Sequence, residues 1–431
     1  MLGSAGARGG GTLVSPRVAS PLHSSSLDNG IQVLSEEIIG VRSVTVGVWV
    51  RQGAAHERAD VMGASHLLEH LVFKGTERRS AHDLALALEG LGGSLDAYTS
   101  REHTSFQARV LDDNLTEALD VLADLTLAPL LRAKDLDLER EVVLEEISTV
   151  EDTPDDLVFE LHGARLWGGH PYGHSILGTR DTVAAMPAEA LRRIHRERYV
   201  GNNLVIAAAG NVQHGRFLEE VEGLFGGLSP GERSGPVPAL PEPVRGDERV
   251  RRDGAQSHVV FGTEAPPHAD PRRYAMVLLS SALGGGMSSR LFQRIREELA
   301  LAYAVFSFQS FYALAGLAGV YVGTRPSWEE RAVAAVREEL ARIARDGLSK
   351  EELEQTKRQV KGQIMLSLES TGARLSRLAG FALYDEPYLD LDELLGRIDA
   401  VTWDEVAAVA AEFYDPDRQL LLRLGPEEKS G

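Results

Sequence analysis

The pattern of apolar and polar positions divides the chain into alternating strand-like and helix-like runs. Ser43–Val50 is apolar at most positions and reads as a largely buried strand, as does Leu204–Gly210. Residues 27–30, Leu27 to Gly30, carry a hairpin signal, and structure is expected to begin there, with a strand from Ile31. Ser94–Thr99 and residues 104–110 read as a strand pair. Helical spacing runs through residues 66–72, Ala81–Glu89, Leu115–Leu127 and residues 136–150. Ser65 is the expected cap of the first of these helices and Gly75 its end. Asn114 is the expected cap of the third, which Pro129 bounds.

The second half echoes the first. Residues 136–147 pair with residues 353–364, and Met186, Tyr199 and Gly210 pair with Val401, Tyr414 and Gly425. The spacings in the second set agree: 199 − 186 = 13 and 414 − 401 = 13, then 210 − 199 = 11 and 425 − 414 = 11. This is a sequence argument for duplication. A Pro-rich stretch from Ser229 to Pro243 separates the halves. The expected organisation is a flexible leader (1–26), an N-terminal domain (27–228), a linker (229–249) and a homologous C-terminal domain (250–431). The expected class is α+β: two α/β sandwiches, each sheet with helices on one face.

Composition narrows the partners. Of 431 residues, 43% are hydrophobic and 25% charged, which is ordinary for a globular chain long enough for two cores. The formal net charge of −19 argues against nucleic acid and is compatible with basic peptides. With no cysteine, neither a disulfide framework nor a thiolate metal site exists. No run has the apolar length of a membrane span. Residues 1–26 hold Arg8 and Arg17 and no acid, a weak likeness to a transit peptide without the apolar core of a secretory signal. The protein is read as cytoplasmic, with organellar import left open.

The candidate chemistry begins at His66-Leu67-Leu68-Glu69-His70. Histidines four apart stack on one helix face and can bind one metal ion, and neutral imidazole suits Zn²⁺. Glu69 projects beside that face, where it can take a proton from a metal-activated water. Chance places about 0.06 such patterns in a chain of this composition. On the helix at 136–150, Glu139, Val143, Glu146 and Val150 share a face, and a carboxylate on a partly apolar face is costly unless paired or metal-bound.

The order H-x-x-E-H, with Glu146 lying 146 − 70 = 76 positions beyond His70 and Glu139 seven before it, resembles the inverzincin peptidases. This is the pitrilysin–insulinase–mitochondrial processing peptidase family, and the resemblance extends over about residues 27–425. Residues 73–76, 152–156 and 207–212, and Arg296 with Tyr303, also match. The resemblance implies a zinc metalloendopeptidase. His66, His70 and Glu146 would be the ligands, Glu139 a supporting residue and Glu69 the general base. It implies that substrate adds to a sheet edge in extended form, for which Ala97 and Tyr98 are the candidate strand. Phe73 would line the pocket for the residue after the cut. Asp156 and Glu160 match acidic positions that read arginine upstream of the cut, and Arg296 and Tyr303 would bind substrate carbonyls and the developing oxyanion.

The C-terminal copy carries Gln363 and Thr356 at the positions of Glu146 and Glu139 and lacks a His pair, so it is metal-free. Large family members enclose substrate in a clamshell chamber of four such domains. This chain supplies half of one, so a homodimer is expected, with a heterodimer of related subunits as the alternative. The rival reading is a non-catalytic structural or binding subunit on the same fold. Loss of the metal motif marks such subunits, and here the motif is complete. A metal used only for folding would leave Glu69 without a task. His103, His170 and His174 are read as surface or structural.

Overall fold

The structure, a computed structural model, describes residues 22–426. The N-terminal half contains β1 (Leu22–Ser26), β2 (Gln32–Glu37), β3 (Ser43–Val50), α1 (Ala64–Val72), α2 (Ala81–Glu89), β4 (Ser94–Thr99), β5 (Thr104–Leu111) and α3 (Leu115–Leu127). It continues through α4 (Ala133–Asp152), α5 (Pro154–Leu166), α6 (Arg180–Ala185), α7 (Ala188–Arg198), β6 (Leu204–Gly210) and α8 (His214–Phe225). The second half contains β7 (Gly246–Arg251), β8 (Ser257–Ala265), α9 (Arg272–Gly284), β9 (Ala302–Phe311) and β10 (Gly316–Thr324). It ends with α10 (Glu329–Asp346), α11 (Lys350–Ser367), α12 (Thr371–Leu383), α13 (Leu391–Ala400), α14 (Trp403–Phe413) and β11 (Leu420–Gly425).

Two boundaries differ from expectation. Leu22–Ser26, placed in the leader, pairs antiparallel with β2 as the outer strand of the first sheet. The rest of that leader, residues 1–21, lies outside the described residues. Gly246–Arg251 overlaps the expected linker but pairs with β11; its alternation of exposed and half-buried positions suits an edge strand, and the flanking polar residues hid it.

The two sheets have one topology. The first runs β1-β2-β6-β3-β5-β4 and the second β7-β11-β8-β10-β9. Without β1, the strands correspond one to one in chain order. Each sheet has a single parallel pair, β2 with β6 and β7 with β11, and is otherwise antiparallel. β4 is thus one edge of the first sheet, opposite β1, and β9 one edge of the second, opposite β7.

Each sheet packs one face on helices of its own half, where Val44, Val46 and Val48 meet Leu67, Leu71 and Leu122, and Val320 and Val322 meet Leu279 and Val336. Helices cover the opposite faces too, which corrects the one-face expectation. α12 of the second half lies on β2, β3 and β6, where Leu375, Leu378 and Ala379 meet Trp49, Val205 and Ala207. α5 of the first half lies on the second sheet, where Val158 meets Val260, Leu422 and Leu424. Strands apolar at nearly every position need cover on both faces, and the exchanged helices supply it. Gly262 allows α5 its close approach: a Cβ there would stand 2.4 Å from the ring of His162, whose Nε2 meets the Leu420 carbonyl at 3.1 Å.

The exchange is anchored by buried charge. Glu36, 1% exposed, pairs with Arg374 and Arg377 of α12. Arg51 donates to the Ala382 and Leu383 carbonyls at the C-terminal end of α12, at 2.7 and 2.5 Å. A cation there meets the negative end of the helix. Burial nonetheless pushes the Arg51 guanidinium down to about 10. Among the described residues, no helix is long and apolar enough to cross a membrane.

Candidate active site

Helix α1 is held by its buried face and by an unexpected cap. Leu67, Leu68, Leu71 and Val72 are buried, leaving His66 and His70 half-buried on the opposite side. The N-cap is Gly63, at φ +89°, a left-handed conformation that favours glycine. Ser65, the expected cap, lies inside the helix. The capping oxygens belong to Glu57, which accepts from the Gly63 N–H at 2.7 Å and the Ser65 N–H at 2.5 Å. Burial raises the Glu57 carboxyl to about 7. Asn114 stands at the N-cap of α3 but makes no side-chain capping bond.

The three expected ligands converge. The His66 and His70 rings lie 4.6 Å apart, centroid to centroid. Glu146, from α4, reaches across to both: its oxygens lie 3.8 Å from His66 Nε2 and 3.7 Å from His70 Nε2. One ligand atom from each lies within 4.8 Å of the other two. Burial holds the His66 imidazole at about 4, with His70 adding to the shift, so it is neutral at pH 7, the form that ligates metal. Glu146 Oε2 is buried without a hydrogen-bond partner. Such an oxygen is costly unless a cation meets it, and two imidazoles with one carboxylate form a zinc donor set. The residues therefore fit Zn²⁺.

Glu139, also on α4, lies behind His70. Its Oε2 is 3.0 Å from His70 Nδ1, and Lys74 Nζ is 2.6 Å from its other oxygen. That contact sets the His70 proton on Nδ1 and leaves the Nε2 lone pair toward Glu146. Glu69, 8% exposed, faces the end of β4, and Thr99 Oγ1 donates to its Oε2 at 2.6 Å. Burial raises the Glu69 carboxyl above its ordinary value, and the Thr99 bond opposes that rise. Tyr199 is packed nearby, pushed far up by burial and by the Glu69 charge.

Other predicted residues fall at varying remove. Ala97 and Tyr98 lie on β4, which pairs with β5 on one side only, and Tyr98 is exposed. Phe73 follows α1 as its C-cap, 6.2 Å from the Phe106 ring, and lines a pocket of about 470 Å³ with Leu84 and Leu95. Glu160 lines a pocket of about 650 Å³ whose walls include Ile147, Leu157 and Leu161. Asp156 is exposed on the same helix, α5. Arg296 and Tyr303 stand together on the second half, the guanidinium over the Tyr303 ring at 4.6 Å, with Tyr303 79% exposed. Among the described residues, no hydrogen bond, ion pair or ring contact joins either to the His66–His70–Glu146 group. His170 is buried and structural, with Nε2 2.9 Å from the Pro238 carbonyl.

Sequence reasoning missed Glu57, Lys74 and Thr99. Thr99 ends a strand that periodicity finds, but no spacing ties it to Glu69.

The chain resembles known proteins over most of its length. Residues 32–180 match the family described as Insulinase (Peptidase family M16), and residues 185–360 match the Peptidase M16 inactive domain. The chain belongs to the M16 peptidase family. A protein of Streptomyces coelicolor named an uncharacterized zinc protease is 40% identical over 415 residues, covering 93% of this chain and 89% of that one. A Bacillus subtilis protein with the same description is 37% identical over 396 residues, covering 91% and 96%. Among solved structures, the peptidase M16 inactive domain of Pseudomonas fluorescens superimposes with a TM-score of 0.88 at 21% identity, covering 95% of this chain and 98% of that one. A Helicobacter pylori protease gives 0.86 at 22% identity, covering 95% and 100%. These two likenesses bear on the fold.

Proposed function

We propose that the protein is a zinc endopeptidase that cuts peptides bound in extended form. The observation that carries this reading is the placement of Glu69. It adjoins three convergent zinc-type ligands, is not itself one of them, and is held by Thr99.

A zinc ion held by His66, His70 and Glu146 would supply Lewis-acid activation of water and of the scissile carbonyl. The Glu69 carboxylate accepts the water proton and returns it to the leaving amine. β4 offers unpaired backbone groups along its outer side, so a peptide can add there as a further strand. The Phe73 pocket then takes the side chain after the cut, and Glu160, with Asp156 on the same helix, favours a basic side chain upstream of it. Arg296 and Tyr303 serve the site of a second copy, where they donate to substrate carbonyls and to the negative oxygen that develops. A Tyr left 79% exposed beside a stacked arginine is consistent with a partner that lies outside its own chain.

The test is a peptide-library digest by the zinc-loaded protein, read by mass spectrometry, beside Glu69→Gln. Internal cuts that vanish in Glu69→Gln while zinc content holds are the expected result. Glu69→Gln retaining more than a few per cent of the activity at equal zinc would remove the assignment.

A further inference from the structure

Arg296 and Tyr303 line a pocket of about 350 Å³ whose other walls include Gln256, Thr324, Arg325 and Trp328. Three departures from regular backbone meet here. Arg296 is carried on a π-helical stretch, Phe292–Glu298. Ala300 is held at φ +51°, a left-handed conformation that costs energy for a residue with a side chain. The β9–β10 register shifts between Gly323 and Thr324. Such irregularities collect where side chains must be aimed.

Charge is the second observation. The chain has a formal net charge of −19, yet among the described residues no carboxylate lines this pocket, and two arginines do. Each is spread on an aromatic face: Arg325 over Trp328 at 4.5 Å, and Arg296 between Phe292 and Tyr303 at 4.7 and 4.6 Å. Arg296 Nη1 donates to the Tyr303 carbonyl at 3.2 Å, and its Nε lies 3.8 Å from Glu297, outside the pocket. Stacking orients a guanidinium and leaves its edge N–H groups free, a fork that matches a carboxylate.

We propose that this pocket recognises a carboxylate of the bound peptide, from an acidic side chain or the free C-terminus, and that Arg325 selects for it. The proposal rests on the peptidase reading above and adds a substrate class to it. Arg325 is a specificity residue; Arg296 and Tyr303 remain the groups closest to the chemistry.

The test uses the zinc-loaded full chain and one peptide in three forms: a neutral amide, a version with Glu replacing Gln at each position in turn, and one with a free C-terminus. A carboxylate form should show a KM about tenfold below that of the neutral amide, the lower range for a hydrogen bond to a charged group. Arg325→Gln should erase that advantage, and Arg325→Lys should keep part of it. Which form gains identifies the source of the carboxylate. If no carboxylate form gains in wild type, or if Arg325→Gln keeps the gain, the proposal falls. Calorimetry on Glu69→Gln separates the two readings. Preferred binding of a carboxylate form with no hydrolysis by wild type supports the pocket and overturns the peptidase. Hydrolysis without preference overturns the pocket alone.

Discussion

Thr99 Oγ1 lies 2.6 Å from Glu69 Oε2, so the end of an edge strand holds the Glu69 carboxylate beside the His66–His70–Glu146 group. The bond also acts on acidity. Burial raises the Glu69 carboxyl and Thr99 lowers it, so without the hydroxyl the carboxyl stays protonated to higher pH. Thr99→Val should therefore move the acid limb of kcat/KM to higher pH and lower kcat about tenfold, since a hydrogen bond to a charged group contributes about 1.5–3 kcal/mol. A pH–rate profile checks it. An acid limb in the wild-type position would show that Thr99 does not tune the base.

The two glutamates of α4 should separate by metal content. Glu146 approaches both imidazoles, whereas Glu139 touches only the far side of His70. Glu146→Gln should lose zinc. Glu139→Gln should keep more of it and lose about 10- to 100-fold in affinity or activity. Metal analysis of the purified variants decides the matter, and full zinc in Glu146→Gln would mean that the third ligand is another residue.

Glu57 predicts a pH dependence of stability. Its carboxyl is raised from 4.5 to about 7, mainly by burial. Between those values the folded state holds a proton that the unfolded state has released, so stability is lost as pH rises through this window. That rise corresponds to about 3 kcal/mol. Glu57→Gln should abolish that loss. Urea unfolding of the zinc-free proteins at pH 5 and pH 8 measures it. An equal change in stability for wild type and variant would exclude Glu57 as its source.

The pairing of His66 and His70 was legible because helix geometry is local: a spacing of four puts them on one face, whatever the rest of the chain does. Glu146 was joined to them by family likeness. β3 and β6 were legible for a similar reason, since runs buried on both faces are apolar throughout. The exchange of α5 and α12 was not, because Leu375 or Val158 reads as an ordinary core position and nothing local says whose core. Glu57 and Thr99 escaped notice because a single long-range hydrogen bond has no period. The second-half residues Arg296 and Tyr303 were found by family likeness alone, and their backbone setting, a π-helical stretch beside a register shift, has no sequence signature.

The last prediction concerns where Arg296 and Tyr303 act. Within one chain they line a pocket of their own, and no described contact links them to the zinc-type ligands. If they complete the site of a second copy, function requires a symmetric dimer, in which each subunit gives to its partner what it receives. Complementation reads this directly. Glu69→Gln and Tyr303→Phe should each be poorly active alone, Tyr303→Phe by about 100- to 1,000-fold if its hydroxyl is an oxyanion donor. In a mixed dimer the Glu69→Gln subunit's site is spoiled twice, because its partner brings the altered Tyr303. The other site has an intact Glu69 and receives an intact Tyr303. Co-expression should therefore restore about a quarter of the wild-type activity, since half of randomly paired dimers are mixed and half of their sites are whole. If the residues acted within one chain, every site would stay damaged and mixing would restore nothing. A fully active monomer by light scattering at assay concentration would end the proposal by a second route.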